Sequence, residues 1–416
     1  MPRRPTYSRG PAMLALLLSA LPATGLAQVT PFLRPTEPAG SSVVFRPSAD
    51  SEAARAKFPL RPGAGPVALH PHAVVRVLRG EGFALGALPE QETSIQTVEP
   101  GLLARIGRRW RADATATWTR YSNRAFTDTF DSAFTLSGDH AAGFWRLQEQ
   151  ARFESSTSLL METAAQTRTR RGGGGLSLER DLGLGRLLEV GLDHARTCVV
   201  TVGAVSIPVA PPWDDANARL RFTRQLSNDL KGTLLFSAGQ TSSSAADSRQ
   251  TRPGIGLRWH LAERFQVGAE ISRETREFKG SPGRVLRSDL GAVRCEYAPA
   301  ASTRLTLEAA RSVSPSLTAG EVNREGLVRA GLRQRLLSRL QFDSAWVRRH
   351  QDYLSTAAAG GLARRDRSRT LDLALSCALL RRLNFTVLHR ATRNTSSLAG
   401  YGFSSRQYGA ELSARF

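Results

Sequence analysis

The side chains best suited to metal binding or nucleophilic catalysis are scattered through this sequence. Cys198, Cys295 and Cys377 lie far apart, and no CxxC pair or Cys/His cluster accompanies them. A zinc site or a disulfide framework needs such close spacing. The chain also lacks a G-x-S-x-G nucleophile elbow. A barrel enzyme built around His389 would need an Asn or Asp partner that the sequence does not place. We therefore expect no enzyme: no catalytic residue, no metal site and no cofactor.

Four consecutive glycines, residues 172–175, could form a phosphate-binding loop. Such a loop opens a helix and continues into Lys and Ser or Thr. Here Arg170 and Arg171 precede the glycines, and the alternating segment 176–179 follows them. This context favours a strand in which neighbouring backbones approach closely.

The chain is strongly basic, with 57 Lys+Arg against 36 Asp+Glu and a formal net charge of +21. A basic balance of this size is typical of nucleic-acid binding, which also requires a recognisable binding motif. No helix-turn-helix or RNP-like pattern occurs, so we expect no nucleic-acid partner. The charge must then be explained by the elements that carry the arginines.

Those elements are strands, because apolar and polar residues alternate with a period of two. Along the last ten residues, one face holds Tyr408, Leu412 and Phe416 while the other holds Gln407 and Glu411. Successive side chains of a strand point to opposite faces, so each segment has one apolar and one polar face. The segments 255–261, 265–272, 340–346 and 371–379 alternate in the same way.

The strands form hairpins with two kinds of connection. Short connections lie near 107–110, 182–186, 227–229, 262–263, 299–301, 337–338 and 380–382. Longer ones lie near 122–139, 198–215, 242–251, 278–285, 313–324, 354–368 and 396–404. Short periplasmic turns and longer outer loops are typical of a transmembrane antiparallel up-and-down β-barrel. The sequence therefore predicts an all-β chain of that class.

The strand count follows from parity. Seventeen strands are predicted at 94–106, 111–121, 141–151, 155–168, 173–181, 187–197, 216–226, 230–241, 249–261, 264–277, 286–298, 302–313, 325–336, 339–353, 368–379, 383–395 and 405–416. Residues 72–85 supply one more, which lets both chain ends lie at the periplasmic side. We predict 18 strands, or 16 if a weak segment such as 141–151 is not a strand, because bacterial barrels prefer even counts.

Three regions differ in composition. Residues 1–27 have a positive start, a short apolar run and small residues before Gln28, which is typical of a signal peptide. Residues 28–71 are rich in proline and predict a periplasmic linker. Residues 72–416 form the predicted barrel. No apolar run reaches about 18 residues, which excludes a bundle of transmembrane helices.

The segment 72–85, the stretch Thr93–Leu102 and the hairpin ending at Tyr121 resemble the start of outer-membrane β-barrel porins of the "porin 2" type. Relatives of that family accompany exopolysaccharide and exosortase systems in Gram-negative bacteria. The aspartate-asparagine pair common after the first strand is replaced here by Gly80-Glu81-Gly82. Over 72–416 the resemblance implies a cell outer membrane location and passive transport, with no catalytic residue.

Residues on the polar phase of the strands are candidates to line a pore. We predict a porin-like passive channel whose basic lumen weakly prefers anions, since arginine rings favour anions. A non-conducting structural or assembly barrel, linked to polysaccharide export or the cell surface, is the alternative. The predicted pore-lining residues are Arg219, Arg221, Arg258, Glu270, Arg329, Arg333 and Asp372.

The chain end resembles the signal that the barrel assembly machinery reads, with Tyr408, Leu412 and Phe416 as its residues. Expected partners are that machinery, outer membrane lipid, lipopolysaccharide, and small solutes or anions. The sequence leaves the solute and the oligomeric state open.

Overall fold

The computed structural model describes residues 67–416, except 86–87, 108, 161–164, 203–210, 244–246, 280–284, 317–320 and 356–361. The predicted signal peptide and most of the predicted linker lie outside the described residues. The strands are β1 (Val67–Leu85), β2 (Leu88–Ile106), β3 (Trp110–Tyr121), β4 (Thr129–Ala142), β5 (Trp145–Leu160), β6 (Ala165–Gly183), β7 (Arg186–Thr201), β8 (Trp213–Gln225), β9 (Leu230–Ser243), β10 (Ser248–Ala262), β11 (Phe265–Phe278), β12 (Val285–Ala300), β13 (Thr303–Pro315), β14 (Glu321–Arg335), β15 (Leu340–Ser355), β16 (Leu362–Leu380), β17 (Leu383–Ser396) and β18 (Phe403–Arg415).

These strands form one closed sheet. Each pairs antiparallel with its neighbours in chain order, and β1 also pairs with β18, from His72 opposite Arg415 to Glu81 opposite Arg406. The predicted 18-stranded up-and-down barrel is therefore confirmed, and the fallback count of 16 is not needed. Closure leaves no strand edge open to a second sheet. No helix in the part of the chain that the structure describes is long and apolar enough to cross a membrane.

The two ends of the barrel differ. At one end the connections have two to four residues, and β1 begins and β18 ends there. We call it the short-turn end, and the opposite end, with connections of two to eleven residues, the long-loop end. The predicted asymmetry is present. It is smaller than expected because the strands extend into the predicted loops, as β16 does from Leu362.

The region between β3 and β6 was predicted wrongly. The predicted loop 122–139 contains most of β4, and the predicted strand 141–151 contains the turn at Gly143 and Phe144. The predicted strand 155–168 is likewise divided between the end of β5 and the start of β6. A two-residue hairpin turn favours a residue with a positive φ at its first central position, and Gly143 has a φ of 59°. The sequence did not reveal this turn, because Phe144 within it and Trp145 after it are apolar and continue the pattern of a strand.

The first strand also begins earlier than predicted. β1 starts at Val67, so residues 67–71 are strand, not linker. Proline lacks the amide hydrogen that a strand interior requires. Pro71 is accommodated near the strand start, where its carbonyl accepts a hydrogen bond of 2.9 Å from the Phe416 amide.

The two faces of the sheet have different compositions. Large apolar side chains that are more than a third exposed occupy alternate positions, which we call the outward face. Residues between them form the inner face, and many inner residues are buried, among them Leu78 and Arg76 on β1. Outward examples on eleven strands are Val75, Val77, Val98, Leu102, Trp118, Phe134, Leu192, Leu220, Leu234, Leu257, Ile271, Leu375 and Leu412.

The seam between β1 and β18 is closely packed at Gly409. A Cβ added there would lie 2.0 Å from the Val77 carbonyl oxygen and 2.8 Å from Leu78 Cα. The glycine therefore lets the first and last strands approach and close the barrel. Gly268, on the inner face of β11, has no atom within 4 Å of the equivalent point.

We expect Gly409→Ala to destabilise the folded barrel by about 1–3 kcal/mol, the usual range for overpacking. Gly268→Ala is the matched control, because it adds the same methyl group in open space. Denaturant titration of the refolded variants measures both. Equal unfolding midpoints would show that the seam accommodates the added methyl group without loss of stability.

Candidate functional site: the barrel lumen

The inner face near the short-turn end carries ion pairs between neighbouring strands. On β7 and β8, the Glu189 carboxylate accepts hydrogen bonds from Arg219 at 2.9 Å and from Arg221 at 3.1 Å. Glu189 and Arg221 are directly opposite in the register, which places the side chains on one face. Two of the predicted lumen arginines thus share a single carboxylate.

The same arrangement recurs around the barrel. Arg333 on β14 faces Asp343 on β15 at 2.8 Å, and Asp372 on β16 faces Arg390 on β17 at 2.5 Å. At the seam, Arg76 lies 2.6 Å from Glu411, and both side chains are largely buried. In each case the two residues are register partners. Carboxylates on neighbouring strands therefore partly neutralise these five inner arginines, and the sequence alone did not identify the partners.

The other three predicted lumen residues also lie on the inner face, each beside an outward apolar residue. Arg258 on β10 is opposite Lys231 on β9, so two cations meet there. Arg329 on β14 is opposite Glu308 on β13. Glu270 on β11 lies within electrostatic reach of three arginines, Arg221, Arg252 and Arg219. The structure places all seven predicted residues inside the barrel wall, while their role in conduction stays a prediction.

An apolar cluster fills part of the interior toward the long-loop end. The side chains of Leu78, Phe83, Ile95, Phe126, Leu388 and Phe403 pack together and are buried. Phe126 belongs to the connection between β3 and β4. Its ring lies edge-on to Phe83 with centroids 5.8 Å apart and stacks on Tyr121 at 5.3 Å.

Sequence reasoning missed this cluster because inner positions were expected to be polar. The signal that could have found it is the break in alternation at Val77-Leu78, where consecutive residues are both apolar. Consecutive apolar residues in a strand indicate that both faces of the strand meet apolar surroundings. Leu78 is 2% exposed and Val77 is 51% exposed.

Residues 122–128, which we call the crossing segment, are anchored at both ends. Asn123 donates from Nδ2 to the Glu92 carbonyl at 2.9 Å, and its Oδ1 accepts from the Ala125 amide at 2.9 Å. At the far end, the Thr127 amide donates to Gln166 Oε1 at 2.9 Å, and Gln166 Nε2 donates to the Thr127 carbonyl at 2.8 Å. Gln166 lies on β6, so the segment reaches past β4 and β5.

Buried polar side chains also lie in the interior at this end. The Arg364 guanidinium lies between the rings of Tyr353 and Tyr401, at 3.9 and 4.0 Å, and 3.1 Å from Asp366. Arg276 and Glu274 form a second buried pair at 3.0 Å. The interior is thus densely packed toward the long-loop end and lined by partly exposed ion pairs toward the short-turn end.

The residues of the predicted assembly signal lie on the outward face or just beyond it. Tyr408 and Leu412 on β18 are exposed, and Phe416 follows the strand. Cys198, Cys295 and Cys377 are free thiols. Among the described residues, no group of three or more His, Cys, Asp or Glu is arranged to hold a metal ion.

No protein-family model matches the chain, and a comparison with curated proteins finds no match. Solved structures similar to it include Pseudomonas aeruginosa OccK2 (OpdF) in complex with glucuronate, with 11% identity and a TM-score of 0.48 over 84% of this chain and 98% of that one. P. aeruginosa OccK3 (OpdO) has 13% identity and a TM-score of 0.45 over 84% and 95%. Acinetobacter baumannii OccAB3 has 9% identity and a TM-score of 0.44 over 84% and 99%.

We expect Gln166→Ala to release the crossing segment, because it removes both hydrogen bonds that hold Thr127. Amide hydrogen exchange of residues 122–128 should accelerate by about tenfold or more, as expected for a lost local anchor. Gln148→Ala on the inner face of β5 is the control, since Gln148 is exposed. Unchanged exchange at Thr127 would mean that Phe126 packing alone fixes the segment.

Proposed function

We propose that this chain is an outer-membrane β-barrel. The observation that carries the proposal is the outward face, which presents large apolar side chains on strands all around a closed barrel. In water such a surface would be far larger than monomeric soluble proteins expose. In a bilayer it matches the apolar band of transmembrane barrels, and the inner polar face matches their interior.

We propose further that the barrel is a porin-like passive channel. Small solutes or anions would diffuse along an inner face lined by Arg219, Arg221, Arg258, Glu270, Arg329, Arg333 and Asp372. The cross-strand ion pairs support only a weak anion preference. The facing cations Arg258 and Lys231 favour anions most directly, because no opposing carboxylate is their register partner.

Several finer assignments belong to the same proposal. Residues 1–27 would direct export, and residues 28–66 would tether the barrel in the periplasm. Tyr408, Leu412 and Phe416 would be read by the barrel assembly machinery, which the exposed position of these side chains supports. The family would be the "porin 2" type, which the segment 72–85, the stretch Thr93–Leu102 and the hairpin ending at Tyr121 resemble. Outer membrane lipid and lipopolysaccharide would surround the barrel. Catalysis forms no part of the proposed function.

A second function is favoured by the packed interior at the long-loop end. The aromatic cluster and the anchored crossing segment obstruct part of the interior. A barrel closed in this way would be a non-conducting structural or assembly protein, linked to polysaccharide export or the cell surface. Conductance separates the two functions.

We expect the refolded protein to form channels in planar bilayers and Phe126→Ala to raise their single-channel conductance. The substitution removes a ring that packs inside the barrel. Phe130→Ala is the matched control, because Phe130 is on the outward face and 50% exposed. Inserted protein without conductance, in both the native chain and Phe126→Ala, would support the structural barrel.

The charge preference is tested by the reversal potential across a tenfold KCl gradient. Glu189→Gln should shift it toward the chloride potential, because Arg219 and Arg221 lose their shared carboxylate. Arg221→Gln should shift it toward potassium, since Arg219 alone then neutralises Glu189. Both shifts should shrink as salt rises, because the Debye length falls below about 10 Å above 0.1 M. Arg249→Gln, on the outward face, should leave the potential unchanged, and equal shifts in all variants would contradict the assignment.

A further inference from the structure

Three arginines form a row across three neighbouring strands on the outward face. Arg348 on β15 is the register partner of Arg369 on β16, which is in turn the partner of Arg393 on β17. All three are exposed. Adjacent strands lie about 4.8 Å apart, so the three side chains emerge within one narrow band. We call this set the arginine row.

Like charges directly opposite one another destabilise a sheet. The neighbours at the two ends of the row, Val328 and Ser404, supply no negative charge. Nearby, Asp352 is already engaged by Arg365 at 3.0 Å and by His350 at 3.3 Å. None of the three row arginines makes an ion pair within the described part of the chain.

Several outward arginines elsewhere on the barrel face an acid. Arg273 pairs with Asp289 at 3.7 Å, and Arg79 donates to Glu92. Arg249 is opposite Glu277, and Arg196 is opposite Asp214. The arginine row is thus a local excess of positive charge, and the exposed Arg367 extends it toward the long-loop end.

The row borders the apolar part of the outward face. Two residues closer to the short-turn end on the same three strands, the outward face holds Trp346, Leu371 and Ala391. The first two side chains are about 40% exposed. A ligand at this boundary would place its anionic group on the arginines and its apolar chains along the barrel wall. Guanidinium groups bind phosphate oxygens with paired, charge-assisted hydrogen bonds.

We propose that the arginine row binds the phosphorylated headgroup of a glycolipid of the lipopolysaccharide type. The proposal rests on the proposed outer-membrane location, in which the long-loop end faces the leaflet that contains this lipid. The acyl chains would lie beside Trp346 and Leu371. Binding would neutralise the row, which the described residues of the chain leave uncompensated.

The test uses the full chain in phosphatidylcholine nanodiscs titrated with diphosphoryl lipid A and read by native mass spectrometry. The variant Arg348→Gln/Arg369→Gln/Arg393→Gln should weaken the apparent Kd by about tenfold or more, because charge-assisted bonds to phosphate are lost. The control Arg196→Gln/Arg249→Gln/Arg273→Gln removes the same number of outward charges, each of which faces an acid. Its Kd should stay close to that of the native chain.

Two further arms identify the ligand. Dephosphorylated lipid A should bind the native chain no better than it binds the row variant, and millimolar inorganic phosphate alone should fail to displace diphosphoryl lipid A. Displacement by phosphate would overturn the lipid assignment. Equal lipid A binding by native chain and row variant, with both inserted and heat-modifiable, would overturn the inference and leave the membrane location intact. Failure of the native chain to insert would overturn both.

Discussion

Closure of the hydrogen-bonded sheet is the constraint on which the rest of the structure depends. In the proposed bilayer, a backbone N–H or C=O without a partner costs several kcal/mol, so a spanning sheet cannot keep a free edge. The β1–β18 pairing removes that edge, and close packing at Gly409 lets the two strands approach. Even the chain terminus contributes, since the Phe416 amide is bonded to Pro71.

Because the sheet is closed, alternate side chains lie in two different environments, outside the barrel and in its interior. Residues one position apart, such as Val77 and Leu78, face outward and inward respectively, and a register slip of one residue would exchange them. The wall also brings together inner residues that are far apart in the sequence. Arg76 and Glu411 form their ion pair only because the first strand meets the last. The ion pairs therefore depend on closure and add to its specificity.

The sequence predicts the features that follow from the alternation of apolar and polar residues along a strand. It does not predict the features that depend on packing between residues far apart in the chain. Alternation correctly predicted the class and the strand count. It failed at Gly143, where a two-residue turn interrupts an apolar stretch, and at Phe126, whose burial depends on distant residues. Period-two patterns show which face a residue occupies. They do not show what packs against that face, so the interior cluster and the partner of each arginine required the structure.

Positive charges on the inner and outward faces are compensated in different ways. Inside the barrel, an arginine can be balanced by a carboxylate on the neighbouring strand, as Asp343 balances Arg333. Outside, a row such as Arg348–Arg369–Arg393 can be balanced only by another outward residue or by a molecule at the surface. No outward acid of the described chain pairs with this row. Since three aligned guanidinium groups repel one another, the folded barrel is most stable when an anion of the surrounding phase lies on them.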